Sequence, residues 1–121
     1  MWWLFAPGDG IVVNGSMRID DVLAAIVREG QHCLDVKIGL ILPSNPGGKL
    51  ELLAELRAHR AAADYAHLNE MTSARMLDYD FRSLAVNFLE EPTYGKTIGQ
   101  LSTKEASLIV DRAQRLYEKE K

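Results

Sequence analysis

Apolar residues recur along this chain in two rhythms, and the change from one to the other predicts its elements. Ile19, Val22, Leu23, Ile26 and Val27 step by three and four, which places them on one helical face. Ser16 or Asp20 is positioned to cap that helix, and Gly30 reads as the residue just past its end. Leu34, Val36, Ile38, Leu40 and Leu42 then alternate with Asp35, Lys37, Gly39 and Ile41, the period of a well-covered strand. Upstream, Trp2–Phe5 and Ile11–Val13 read as two short strands. Between them Ala6-Pro7-Gly8-Asp9-Gly10 has the composition of a hairpin turn.

Downstream of Pro43-Ser44-Asn45-Pro46-Gly47-Gly48, a loop by its glycines and prolines, the rhythm is helical throughout. Lys49 to about Asn69 contains no Gly or Pro, and Leu52, Leu53, Leu56, Arg60, Ala63 and His67 mark its inner stripe. A further helix is predicted from about Ser73 to Glu90, with Leu77, Phe81, Leu84, Ala85 and Phe88 inward. Asp78-Tyr79-Asp80 marks an early interruption, and Pro92 a stop. The last helix, about Thr103–Glu118, begins in a capping box: Ser102 faces the first-turn amides and Glu105 reaches back. Ala106, Ile109, Val110, Ala113, Leu116 and Tyr117 share its buried face.

The resulting expectation is an α+β fold. A small sheet of about three strands, the N-terminal hairpin plus Leu34–Leu42, is packed by helices, and the chain ends in an antiparallel helical pair. The 121 residues fit a single domain, 1–121, with a weak subdivision into a strand-bearing part, 1–45, and a helical part, 46–121.

Composition narrows function only a little. Hydrophobic residues make up 47%, enough for a globular core. A net charge of −3 gives no global pull towards nucleic acid or anionic membrane. The single cysteine, Cys33, leaves no internal disulfide to form and fits a cytoplasmic location. Met1-Trp2-Trp3-Leu4-Phe5 is apolar but too short for a signal peptide or a span, so no membrane partner is expected. Trp2, Trp3 and Phe5 are instead candidates for an edge strand that pairs with a second copy.

No catalytic or metal constellation stands out, and no cofactor is called for. The loop before Lys49 is not a Walker A motif: Pro43 occupies the first glycine position and Leu50 the metal-binding one. Its residues Asn45, Gly47, Gly48 and Lys49 remain candidates for partner or anion contact. His32, Cys33 and Asp35 are too few for zinc, and His59 and His67 lie two helical turns apart. Glu90-Glu91 and Asp78 with Asp80 read as solvated helix ends. Arg57, Arg60, Arg75, Arg82, Lys96, Lys104, Arg112 and Arg115 are interleaved with acids, which reads first as a solvated surface. Convergence of Arg75, Arg82, Lys96, Lys104 and Arg112 would make a backbone-binding groove with Tyr79 and Tyr94 for stacking. The contact candidates are therefore Arg75, Arg82, Tyr94, Lys96, Lys104, Arg112 and Arg115.

Thr72-Ser73-Ala74 to Leu89, followed by Tyr94-Gly95-Lys96-Thr97-Ile98-Gly99-Gln100-Leu101-Ser102-Thr103-Lys104-Glu105-Ala106-Ser107 and Ile109–Arg112, resembles a small two-helix tail module. Such modules occur in phage and bacterial single-stranded-DNA and recombination proteins, with the pattern Leu-[Ser/Thr]-x-x-Glu-Ala-Ser opening the second helix. The glutamine usual early in their first helix is absent, and Ala74 or Arg75 stands nearby. The resemblance covers about residues 72–117 and implies a phage or mobile-element context.

The expected function is a non-enzymatic binding module in a nucleic-acid transaction, acting directly or through a host or phage protein. Two alternatives stand beside it: an anti-defence inhibitor resembling anti-CRISPR proteins, and a small enzyme using the Gly47-Gly48-Lys49 loop.

Overall fold

A computed structural model of the chain describes residues 5–6, 10–11, 19–41, 48–70, 80–91, 98 and 101–120. Four helices account for most of them: α1 (Ile19–Lys37), α2 (Gly48–Leu68), α3 (Phe81–Glu90) and α4 (Thr103–Glu120). Before them, β1 (Phe5–Ala6) and β2 (Gly10–Ile11) form a two-residue antiparallel pairing, Phe5 opposite Ile11 and Ala6 opposite Gly10.

The predicted α+β architecture is therefore corrected to a helical one. Among the described residues there is no three-stranded sheet, and Leu34–Lys37 is the last turn of α1. Helix α1 runs straight through Gly30 and ends seven residues later in a Schellman motif. The amide of Gly39 donates to the Val36 carbonyl at 3.0 Å and that of Leu40 to the Asp35 carbonyl at 2.8 Å. Gly39 takes the left-handed φ of +80° that this motif needs at its C′ position. The apolar alternation is thus, from Leu34 to Ile41, a helix end followed by a turn, and Leu42 lies outside the described residues. The period-2 pattern is ambiguous over so short a run, and packing of α1 along α2 decides between the readings.

Helix α2 is the axis of the molecule. It contacts α1, α3 and α4, and its residues 51–59 are all buried. Towards α3 and α4 the contact is apolar. Leu52, Leu53 and Leu56 join Phe81, Leu84, Ala85, Phe88, Ile98, Ala106, Ile109, Val110 and Ala113 in one cluster. Helix α3 is launched by Asp80, whose carboxylate accepts from the amides of Arg82 and Ser83, both at 3.3 Å. The described helix therefore begins at Phe81; residues 73–79 of the predicted helix lie outside the described residues. Helix α4 starts in its capping box: the Glu105 amide donates to Ser102 Oγ at 3.1 Å and the Ser102 amide to Glu105 Oε1 at 3.2 Å.

Towards α1, by contrast, the contact is built from alanines and charges. Ala24, Ala25, Glu29, His32 and Asp35 are the buried residues of α1. Ile19, Ile26 and Leu34 of the same helix are exposed. The apolar stripe that predicted this helix is not its packed face.

Candidate functional site

An open cleft of about 320 Å³ lies where α2 meets the late part of α1, the start of α3 and the end of α4. Arg57, Arg60 and Asp64 reach it from one face of α2, because steps of three and four return to the same side. Gln31 comes from α1, Phe81 from the capped start of α3, and Tyr117 and Glu120 from the last turns of α4. Ala61 completes the lining.

Arg57 anchors the cleft. Its Nε donates to Asp35 Oδ2 and its Nη2 to Asp35 Oδ1, both at 2.9 Å, a bidentate pair with a carboxylate shut off from solvent. Gln31 Nε2 holds the same carboxylate at 3.0 Å. Nη2 of Arg57 also donates to Glu120 Oε1 at 2.9 Å. Burial pulls the guanidinium towards neutrality, but Asp35 and then Glu120 outweigh it and hold its pKa above the ordinary value. Glu120 is the loosest member of the set: its side chain is 51% exposed and it is the last residue of α4.

Arg60 forms the wall. Its guanidinium lies 4.2 Å from the Tyr117 ring centroid and 5.3 Å from that of Phe81, while its Nε donates to Asp64 Oδ1 at 3.3 Å. Tyr117 donates its hydroxyl to Asp64 Oδ2 at 2.7 Å and meets Phe81 edge-on at 5.9 Å. The bond to Asp64, with burial, raises the Tyr117 pKa, so the hydroxyl keeps its proton at neutral pH. The cleft thus presents one fixed and one stacked guanidinium, each already matched by carboxylates of the chain itself.

A second polar group sits under α1, closed to solvent. His32 Nε2 lies 3.1 Å from Glu55 Oε1, with both side chains fully buried. His59 Nδ1 lies 2.9 Å from the Glu55 carbonyl oxygen and 3.5 Å from Glu55 Oε2, and its ring meets Phe88 edge-on at 4.7 Å. Burial pushes His59 down to about 4, so it is neutral at neutral pH and its contact with Glu55 is not an ion pair. Burial also pushes the Glu55 carboxyl up, but the bond and charge of His32 outweigh it and leave the pKa below the usual value. Glu29, fully buried, is pushed up to about 7 by burial, and among the described residues neither carboxyl oxygen has a hydrogen-bond partner. Among the described residues no three His, Cys, Asp or Glu side chains are grouped to hold a metal ion.

Those expected contact residues that are described lie elsewhere. Arg82 and Lys104 are exposed near the starts of α3 and α4, Arg115 is exposed on α4, and Arg112 is half-buried there. None of these four lines the cleft. Gly48 is the first residue of α2, with a positive φ of 54°, so the glycine serves the backbone at that point. Lys49 pairs with Glu105 at 3.2 Å. Asn45, Gly47, Arg75, Tyr94 and Lys96 lie outside the described residues, as do Trp2 and Trp3. The cleft itself was missed. Arg57 and Arg60 read as members of a solvated surface, Arg60 and Tyr117 also as members of their helices' inner stripes, and Asp64 and Glu120 stood out in no motif. The usable signal was the Arg57, Arg60, Asp64 spacing on one helical face.

Comparison of the chain with protein-family models, curated proteins and solved structures returned no match. Among the described residues no helix is long and apolar enough to cross a membrane.

Proposed function

We propose that the chain is a non-enzymatic binding module that engages a protein partner at the Arg57–Arg60 cleft, taking an acidic group of that partner in place of Glu120. One observation carries this reading. The inner edge of the Arg57 guanidinium is fixed by buried Asp35, while among the described residues its outward contact is the half-exposed carboxylate ending α4. A carboxylate arriving from outside finds a preset donor and displaces a group that water readily solvates. The Arg60–Tyr117–Phe81 stack supplies a flat apolar wall beside it. The likeness of the tail to modules of single-stranded-DNA and recombination proteins supports placing that partner in a nucleic-acid transaction.

Direct nucleic-acid binding is the second reading, favoured by the outward Lys104, Arg115 and Arg82 and disfavoured by the net charge of −3. Affinity capture from cell lysate with the wild-type chain and with Arg60→Ala separates the two. One stoichiometric protein, held by the wild type and lost by the variant, is the expected result. Co-purified nucleic acid that both forms retain transfers the function to the basic surface. Equal capture of a protein by both forms removes the cleft from the account.

A further inference from the structure

A guanidinium carries five N–H groups in one plane, and the Arg57 group is not fully used by its neighbours. Nε donates to Asp35 Oδ2, while Nη2 donates both to Asp35 Oδ1 and to Glu120 Oε1. Among the described residues Nη1 donates to nothing. The planar fork fixes where Nη1 points. Nε and Nη2 make one donor edge, and Nη1 and Nη2 make the other. Asp35 fills the first edge. Glu120, which lines the cleft, takes the Nη2 half of the second, so the Nη1 half beside it turns the same way. Arg57 is only 6% exposed, and a donor left without a partner costs more there than on the open surface.

A carboxylate matches the half-used edge. Its two oxygens span Nη1 and Nη2 in parallel bonds, whereas Glu120 contributes one oxygen to one nitrogen. Charge selects a carboxylate over a phosphate. Asp35, Asp64 and Glu120 already surround the guanidiniums of Arg57 and Arg60. A doubly charged phosphate adds to that excess of negative charge, while a carboxylate replaces Glu120 one for one. Glu120 is also placed to leave. Its side chain is 51% exposed and it ends α4, so its release unwinds no more than the last turn of the helix.

We infer that Glu120 is an autoinhibitory latch on the cleft, released when a glutamate or aspartate side chain of a protein partner binds end-on across Nη1 and Nη2 of Arg57. The inference rests on the reading of the cleft as a partner site, and it adds how that site is held closed and which anion opens it. The latch is weak by construction, because one half-exposed oxygen holds an edge built for two. The incoming carboxylate satisfies the Nη1 donor that the latch leaves idle.

Side-chain nitrogen NMR of the full chain, with acetate as the probe, reads the geometry directly. In Glu120→Ala, acetate is expected to shift the Nη1 and Nη2 signals of Arg57 together, while Nε, held by Asp35, stays in place. The wild type is expected to show the same shifts at about three- to fivefold higher acetate, the worth of a half-exposed ion pair. Acetamide, which has the shape without the charge, is expected to shift neither. Equal acetate affinity in the two forms overturns the latch. A shift of Nη2 alone overturns the end-on pairing, and inorganic phosphate binding more tightly than acetate overturns the choice of a carboxylate. Capture from lysate separates this inference from the reading beneath it. A protein held by the wild type and lost by Arg60→Ala supports the partner site, and Glu120→Ala is expected to hold it about three- to fivefold more tightly. Equal retention by the wild type and Glu120→Ala keeps the site and removes the latch. Acetate shifts without any captured protein keep the latch and remove a protein as its key.

Discussion

The two sides of α2 hold their neighbours by different physics. Towards α3 and α4, Leu52, Leu53 and Leu56 meet Phe81, Leu84, Phe88, Ile109 and Val110 in an apolar cluster with no charge among its members. Towards α1, Glu29, His32 and Asp35 meet Glu55 and Arg57 with alanines filling the space between. The apolar side tolerates any packing of about the right volume. The polar side has one register, because each buried charge is costly unless its partner is within reach. Two residues of slip would leave Arg57 without Asp35 and Glu55 without His32. That side adds less net stability than its contact area implies, and it decides where α1 sits.

Removing one partner of the polar side has the largest expected effect. Asp35→Ala leaves Arg57 buried without its bidentate acceptor and is expected to cost about 3–5 kcal/mol in urea unfolding. Leu56→Ala on the apolar side costs about 2–5 kcal/mol through lost burial and a residual cavity. The contrast lies in rescue. Replacing Asp35 and Arg57 together by Leu and Met restores most of the stability, since no orphaned charge remains. A double variant as unstable as Asp35→Ala would show that the pair holds α1 by net attraction.

The next effect is in pH, and only the polar side shows it. Glu29 has its folded pKa raised from 4.5 to about 7, so its contribution is whole below pH 4.5 and is lost as pH rises through 7. His59 has its folded pKa lowered from 6.5 to about 4, so its contribution is whole above pH 6.5 and is lost as pH falls towards 4. Between about 4.5 and 6.5 the two slopes oppose one another, and these two groups together leave the stability nearly flat with pH. Glu29→Gln removes one slope. The variant is expected to gain up to roughly 3 kcal/mol relative to the wild type above pH 7. Its stability then falls steadily as pH drops below 6.5. Urea titrations at a series of pH values read both, and parallel profiles for variant and wild type would remove Glu29 from the pH response.

The smallest effect concerns neither side of α2. Ser102→Ala removes the acceptor for the Glu105 amide at the exposed start of α4, and about 1 kcal/mol is expected from thermal unfolding. A loss as large as that of Leu56→Ala would mean that the cap also places the apolar cluster.

What could be read in the sequence followed the same division. Helices α2 and α4, the Ser102–Glu105 capping box and the apolar cluster were legible, because propensity, caps and a clean three-and-four stripe are local signals. Helix α1 was legible as a helix but not in its extent or its facing. Gly30 read as its end, and its apolar stripe read as its core side. The polar side of α2 could not be read at all: Asp35 was assigned to a strand, Arg57 to a solvated surface, and His32 was set aside as a metal ligand and read as facing solvent. The cleft went with them, since its members come from four helices and share no motif.

By itself the sequence determined where helices α2 and α4 run and most of their apolar core, though His67 of the predicted α2 stripe is exposed, because those choices depend on neighbours within a few positions along the chain. Only the tertiary structure decided that Leu34–Lys37 is helix, that α1 turns its charges inward, and that Arg57, Arg60, Asp64, Tyr117 and Glu120 surround one cleft. A buried charge is tolerated only when a partner from a distant segment reaches it, and no local pattern records that partner.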